Sequence, residues 1–145
     1  MTETFEQYTA RILSLAEGHD AFTVLESTPQ RIGAMLARRT REDLRWSTSP
    51  SRWSVAEIVT HLADAEIVFA YRVRMMLSAP GTPIQAYDQN AWSRAQHAER
   101  SDAHASLSLF ASIRASMLRL LKGLTDEELD RYGMHAERGK RASGT

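Results

Sequence analysis

Four side chains near the middle of the chain have the types and the spacing to do chemistry: Glu57, His61, Asp64 and Glu66. The first three stand four and three residues apart, so on a helix they share one face. An imidazole flanked by carboxylates can ligate a metal, or can be oriented by them to do so. The same residues have a plainer reading, in which Glu57 caps a helix, Asp64 is solvated and His61 is a partly buried core histidine. By themselves they favour it. Glu66 falls between Leu62 and Phe69 on the apolar side, where a carboxylate must be paired or shift its pKa. Cysteine is absent, which excludes disulfides, thiolate metal sites and a cysteine nucleophile, and fits a reducing cytosol.

The element that must position these groups runs from Pro50 to Leu77. Ser54 and Glu57 have capping-box spacing, and Trp53 can staple onto Ile58. Val55, Ile58, Val59, Leu62, Ala65, Phe69, Val73 and Met76 then recur at helical spacing, with no Gly or Pro until Pro80. Ser78-Ala-Pro-Gly-Thr-Pro83 breaks the helix. Beyond it, Tyr87, Asp88, Gln89 and Trp92 offer two aromatics, an acid and an amide, either to line a pocket or to tie a long connection onto the fold.

A second long helix starts at Ser101 or Asp102 and runs to about Lys122, with Leu107, Phe110, Met117, Leu118 and Leu121 as its stripe. Arg114 interrupts that stripe as Glu66 interrupts the first, so the two are expected to pair across the helices. Upstream, Phe5 to Ala16 reads as a short amphipathic helix. Ser27-Thr28-Pro29 reads as the start of a third helix reaching about Arg39 and burying Ile32, Met35 and Leu36. Thr40 caps one further turn, and Thr125 opens another through Leu129. His19, His97 and His104 read as exposed, and His135 lies between two glycines in a loop.

The 145 residues suffice for one domain. Eighteen basic and eighteen acidic residues cancel, so there is no electrostatic footprint for nucleic acid or for an anionic membrane. The acidic start lacks the regions of a signal peptide, no run is long enough to span a bilayer, and a cytoplasmic protein is expected. Three long helical segments without a convincing strand predict an all-α, antiparallel up-down bundle. Such a bundle wants a fourth helix, from the short first helix, from a second subunit, or from a stretch that a truncated sequence would lack.

The pattern Trp53-Ser54-x-x-Glu57-x-x-x-His61-Leu62-x-Asp64-x-Glu66, then Arg72-x-Arg74, Pro80-Gly-Thr-Pro83, Asp88-Gln89-x-x-Trp92, Phe110-x-x-x-Arg114 and Arg131-Tyr-Gly-x-His135-x-x-x-Gly139, resembles the DinB-like superfamily of bacterial four-helix bundles over nearly the whole chain. The resemblance implies one DinB-like domain over residues 1–139, a polar tail at 140–145 outside it, and a final helix that is short or missing. It also implies a divalent metal, zinc or nickel, bound by three histidines. One of these is His61, in its His-Leu context; the others belong to a His-x-x-x-His motif on the last helix. No such motif follows Gly139. His135 is then a candidate substitute ligand, and a homodimer could bring two His61 residues together. Characterised members of the superfamily include thiol S-transferases that use bacillithiol or mycothiol, and a mycothiol-dependent isomerase. The implied activity is thiol transfer or hydrolysis of a small molecule. In it the metal would activate a bound thiol or water, Glu57 or Asp64 would orient His61, and Glu66 would handle protons, with Asp88, Gln89, Trp92 and Arg114 nearby. The other expectation is a catalytically incomplete bundle that serves in oligomerisation or interaction.

Overall fold

The structure is a computed structural model that describes residues 4–135 and 139–142; for Phe5, His135 and residues 139–142 it describes the backbone alone. Seven α-helices are present among them: α1 Phe5–Ala16, α2 Ala21–Leu36, α3 Arg41–Arg45, α4 Val55–Ser78, α5 Gln89–Ala95, α6 Ala103–Lys122 and α7 Asp126–Leu129. Among the described residues, no helix is long and apolar enough to cross a membrane.

The predicted capping box starts α4: Ser54 Oγ accepts from the Glu57 amide, and Glu57 Oε2 accepts from the Ser54 amide at 2.8 Å. The stripe that α4 buries is narrower than the one its large side chains suggest. It runs Ala56, Val59, Ala63, Glu66, Ala70, Val73, alternating steps of three and four, while Val55 and Ile58 stay exposed. The facing seam of α6 is Ala103, Leu107, Phe110, Arg114, Met117, Leu121 at the same alternation. That is knobs-into-holes spacing, and the alanines of α4 admit the large side chains of α6.

The contacts advance in the same direction on both helices. Ser101 hydrogen-bonds the Ala56 carbonyl, Thr60 meets Ser106, Glu66 meets Arg114, and Arg74 reaches Met117. The helices α4 and α6 are therefore parallel. This corrects the simple up-down order expected for consecutive long helices. The chain between them is a long crossover, of the kind some bundles carry, which returns along α4: Gln85 lies at Arg72, Gln96 at Asp64 and Ser101 at Ala56. It contains β1 Thr82–Ile84, α5 and a 3-10 turn at Ala98–Arg100. The helix α2 runs the other way, with Gly33 near Leu107 and Glu26 near Lys122 on α6.

The start of α2 differs from expectation. Asp20, whose Oδ2 accepts from the Thr23 amide at 2.7 Å, caps it, and Pro29 lies inside. Proline lacks an amide hydrogen, so the Leu25 carbonyl four residues back loses its helical donor. Arg114 Nη1 supplies one at 3.2 Å, which lets the helix run through. Leu36 is buried as expected, but Met35 is 76% exposed.

No strand was anticipated, yet three short ones form, in the order β1-β2-β3. The strands β1 and β2 (Tyr132–His135) are parallel, and β3 (Gly139–Ala142) is antiparallel to β2. They are too short to show alternation. Their place depends on Gly133, where a Cβ would stand 2.4 Å from Ile84 Cδ1. The short α1 forms over its predicted residues but leaves Ile12, Leu13 and Leu15 exposed, so it does not close the bundle. Two apolar clusters result, one around Leu36, Leu44, Val59 and Ala103, the other around Val73, Met76, Met117 and Leu121.

Candidate functional site

Of the four histidines whose side chains are described, His19, His97 and His104 are exposed and His61 is half-buried. Trp53, just ahead of the N-cap of α4, packs on the His61 ring at 5.2 Å between centroids and 57° between planes. That contact holds the imidazole against the helix. Its two neighbours on the same face are engaged elsewhere. Glu57 Oε2 accepts from both the amide and the hydroxyl of Ser54. Asp64 is buried, not solvated, and accepts from Gln96 Nε2 at 2.6 Å. The partner comes from the crossover, whose return along α4 no local pattern announces.

Among the described residues no group of three His, Cys, Asp or Glu side chains could hold a metal ion. A catalytic zinc usually takes three protein ligands. His61 therefore fits as one donor, while the described side chains do not make up a complete ligand set. The backbone of His135 lies in β2 opposite Ile84. The expectation that it ligates concerns a side chain outside the described residues.

Glu66 and Arg114 form the predicted pair, and it is bidentate: Nε to Oε1 at 2.6 Å and Nη2 to Oε2 at 2.8 Å. Their side chains are 6% and 13% exposed. The guanidinium also lies 4.7 Å from the Phe110 ring centroid. With both carboxylate oxygens held inside the α4–α6 seam, Glu66 is a structural partner and not a group poised to move protons at His61.

Beside Trp53 and Glu57 lies a pocket of about 370 Å³ that also takes in Arg45, Arg52 and Arg94. A larger cleft of about 530 Å³ opens between α4 and the crossover, lined by Ile67, Tyr71, Arg72, Tyr87, Asp88 and Trp92 among others. Three of the four crossover residues picked out for chemistry behave in defined ways. Tyr87 and Trp92 pack at 4.9 Å. Asp88 caps α5, and the amides of Ala91 and Asn90 hold its carboxyl below the usual range. Burial pushes the Tyr87 hydroxyl up, and the charge of Asp64 adds to this. Gln89 is exposed at the first turn of α5, away from the cleft lining. Arg72, present in the motif but not singled out by its chemistry, lies in the cleft and donates from Nη2 to the Gln85 carbonyl at 2.6 Å. Sequence reasoning also missed the hydroxyl cluster in which Thr60 meets Ser101 and Ser106, both at 2.8 Å. Nothing in the local pattern announces it, since Ser101 and Ser106 stand more than forty residues from Thr60.

This arrangement has relatives. A Bacillus subtilis protein named "Putative metal-dependent hydrolase YfiT" is 28% identical over 114 residues, covering 79% of this chain and 64% of YfiT. The chain thus spans just under two thirds of that relative's length. A protein of Oceanobacillus iheyensis with the same kind of name, OB0413, is 22% identical over 128 residues, covering 88% of this chain and 73% of that one. The solved structure of YfiT, described as having an unusual four-helix bundle topology, superposes with a TM-score of 0.77 at 24% identity, over 98% of this chain and 76% of that one. The parallel α4–α6 pair and its crossover are the part of this fold that an up-down bundle would lack. Residues 24–144 match the DinB superfamily family DinB_2, and on that match the chain belongs to the DinB superfamily.

Proposed function

We propose that this protein takes part in metal-dependent hydrolysis of a small molecule, with His61 as a metal ligand and the remaining donors supplied by groups beyond the described side chains. Thiol S-transfer is the alternative reaction on the same site, and the reading places the protein in the cytoplasm. The observation that carries it is the position of His61. Among the described residues it is the histidine that is half-buried, and its ring packs on Trp53; Trp53 and Glu57 line a pocket, and the relatives are named for metal-dependent hydrolysis. The test is metal content per chain by elemental analysis, after purification without an affinity metal and after adding zinc or nickel, for the intact protein and for His61→Ala. A stoichiometric metal that is lost in the variant supports the reading, and one metal per two chains would make the second copy a donor. No bound metal, or metal retained by His61→Ala, overturns it.

A second reading, a bundle that associates through uncovered apolar faces, is favoured by the exposure of Leu13, Leu15, Met35, Ile58 and Ile67. An association state that rises with protein concentration supports it, and a monomer at all concentrations removes it.

A further inference from the structure

We propose that the pocket between the end of α3, the loop ahead of α4, and α5 binds the phosphate group of a small organic molecule. Its volume of about 370 Å³ lies at the small end of the range that holds organic ligands, roughly 300–1,000 Å³. His61 is not among its lining residues, so the proposal stands whether or not that histidine holds a metal.

Three elements each bring one arginine to this pocket: Arg45 from the last turn of α3, Arg52 from the loop, and Arg94 from the last turn of α5. A single arginine on a surface needs no explanation. Three that meet from separate parts of a chain with no net charge do. Arg45 is anchored: Nε donates to the Ser101 carbonyl at 3.0 Å and Nη2 to the Arg100 carbonyl. Neither acceptor carries a full charge, so the cation is held in place without being neutralised. A guanidinium already positioned loses little freedom on binding. Among the described residues, no hydrogen bond or ion pair engages the side chain of Arg52 or Arg94, although Asp88 senses the charge of Arg94. The two acids of the lining are committed elsewhere. Glu57 accepts from the amide and the hydroxyl of Ser54. Glu99 lies 3.4 Å from Arg100 Nε and 3.6 Å from His97 Nδ1.

The neutral groups decide between anions. The Ser47 hydroxyl bridges the Ser49 and Arg52 carbonyls at 2.8 and 2.6 Å, which folds the loop back on itself. The Ser49 and Ser51 hydroxyls then meet at 3.0 Å. Only one of that pair can donate to the other, so one hydroxyl hydrogen stays available to a ligand. Hydroxyls together with guanidiniums from three elements suit the several oxygens of a tetrahedral dianion better than the two of a planar carboxylate. Trp53, whose ring packs on His61, lines the same pocket and offers an aromatic surface to the organic part of the ligand.

The test is calorimetric titration of the full chain with phenyl phosphate, benzoate and phenol, at fixed ionic strength. No metal is added, so failure here is distinguishable from failure of the metal-site reading. One phenyl phosphate per chain is expected, bound about tenfold or more tightly than phenol and several-fold more tightly than benzoate. Arg52→Gln and Arg94→Gln, both at exposed positions, should each weaken phenyl phosphate about tenfold and leave phenol unchanged. Arg119→Gln removes a cation that is exposed and outside this pocket, and should change nothing. No binding of phenyl phosphate, benzoate bound equally well, no weakening in either pocket variant, or an equal loss in Arg119→Gln would each overturn the proposal.

Discussion

Asp64 and Glu66 stand two residues apart on α4, and they show what the two sides of that helix are for. Glu66 points into the seam with α6, where a single arginine takes both its oxygens. Asp64 points toward the crossover, where it takes one amide hydrogen from Gln96 and raises the Tyr87 pKa by its charge. The seam side is closed and specific. A lone charged pair between two apolar clusters fixes how α4 and α6 align, because any slip would leave both charges buried alone. The crossover side is open, with a half-buried histidine, two pockets and exposed aromatics. The buried ion pair lies on one face, and the half-buried histidine and both pockets lie on the other.

The largest effect should follow from breaking the closed side. Glu66→Ala leaves Arg114 without its carboxylate and should cost about 3–5 kcal/mol in chemical denaturation. Arg114→Ala should cost at least as much, since it also strips the donor from the Leu25 carbonyl. That second loss is separable. Adding Pro29→Ala to Arg114→Ala returns a helical amide to Leu25 and should recover about 1 kcal/mol, while Pro29→Ala in the intact protein should gain less. If the double variant is no more stable than Arg114→Ala, the arginine does not compensate for the proline.

These particular residues also mark how far the chain could be read. The Ser54–Glu57 box, the start of α1 and the Glu66–Arg114 pair were legible because each depends on local spacing, or on one charge interrupting an apolar stripe. The run of α2 through Pro29 was not, since the group that rescues it lies eighty-five residues away at Arg114. The α4 seam was hidden by its alanines, which carry little hydrophobic signal yet allow the closest approach. The parallel course of α6 and the partner of Asp64 both follow from the crossover, and its direction is set by tertiary packing. That His61 would be partly buried on α4 was legible from its helical spacing. Which groups complete a metal site around it is a question of donors that helical periodicity does not address.

On the open side the effect of substitution should be smaller and more informative. Asp64→Ala removes the acceptor for Gln96 and should cost about 1–2 kcal/mol. Asp64→Asn keeps an acceptor for that amide and should cost less. Both should lower the Tyr87 pKa without returning it to the ordinary value, because burial is the larger cause of its rise. Spectrophotometric titration, with Tyr87→Phe as the reference, reads this directly. An unchanged Tyr87 titration in Asp64→Asn would mean that the two groups do not sense each other, and the open side would lose its electrostatic link between α4 and the crossover.

The smallest effect belongs to Asp88, at the rim of the cleft. Its pKa is lowered from 3.8, first by the Ala91 amide and also by Asn90. A carboxyl whose folded pKa lies below its unfolded one binds fewer protons when folded, so stability rises with pH across that interval. The contribution is fully present above the unfolded value and is lost as pH falls through the folded one. Asn caps a helix nearly as well but does not titrate. Asp88→Asn should therefore leave a small loss at neutral pH that shrinks to nothing in acid, below pH 3.8. Thermal unfolding of the two proteins across the acid range checks the sign. A gap that widened toward low pH would mean that the carboxylate is opposed rather than supported by the start of α5.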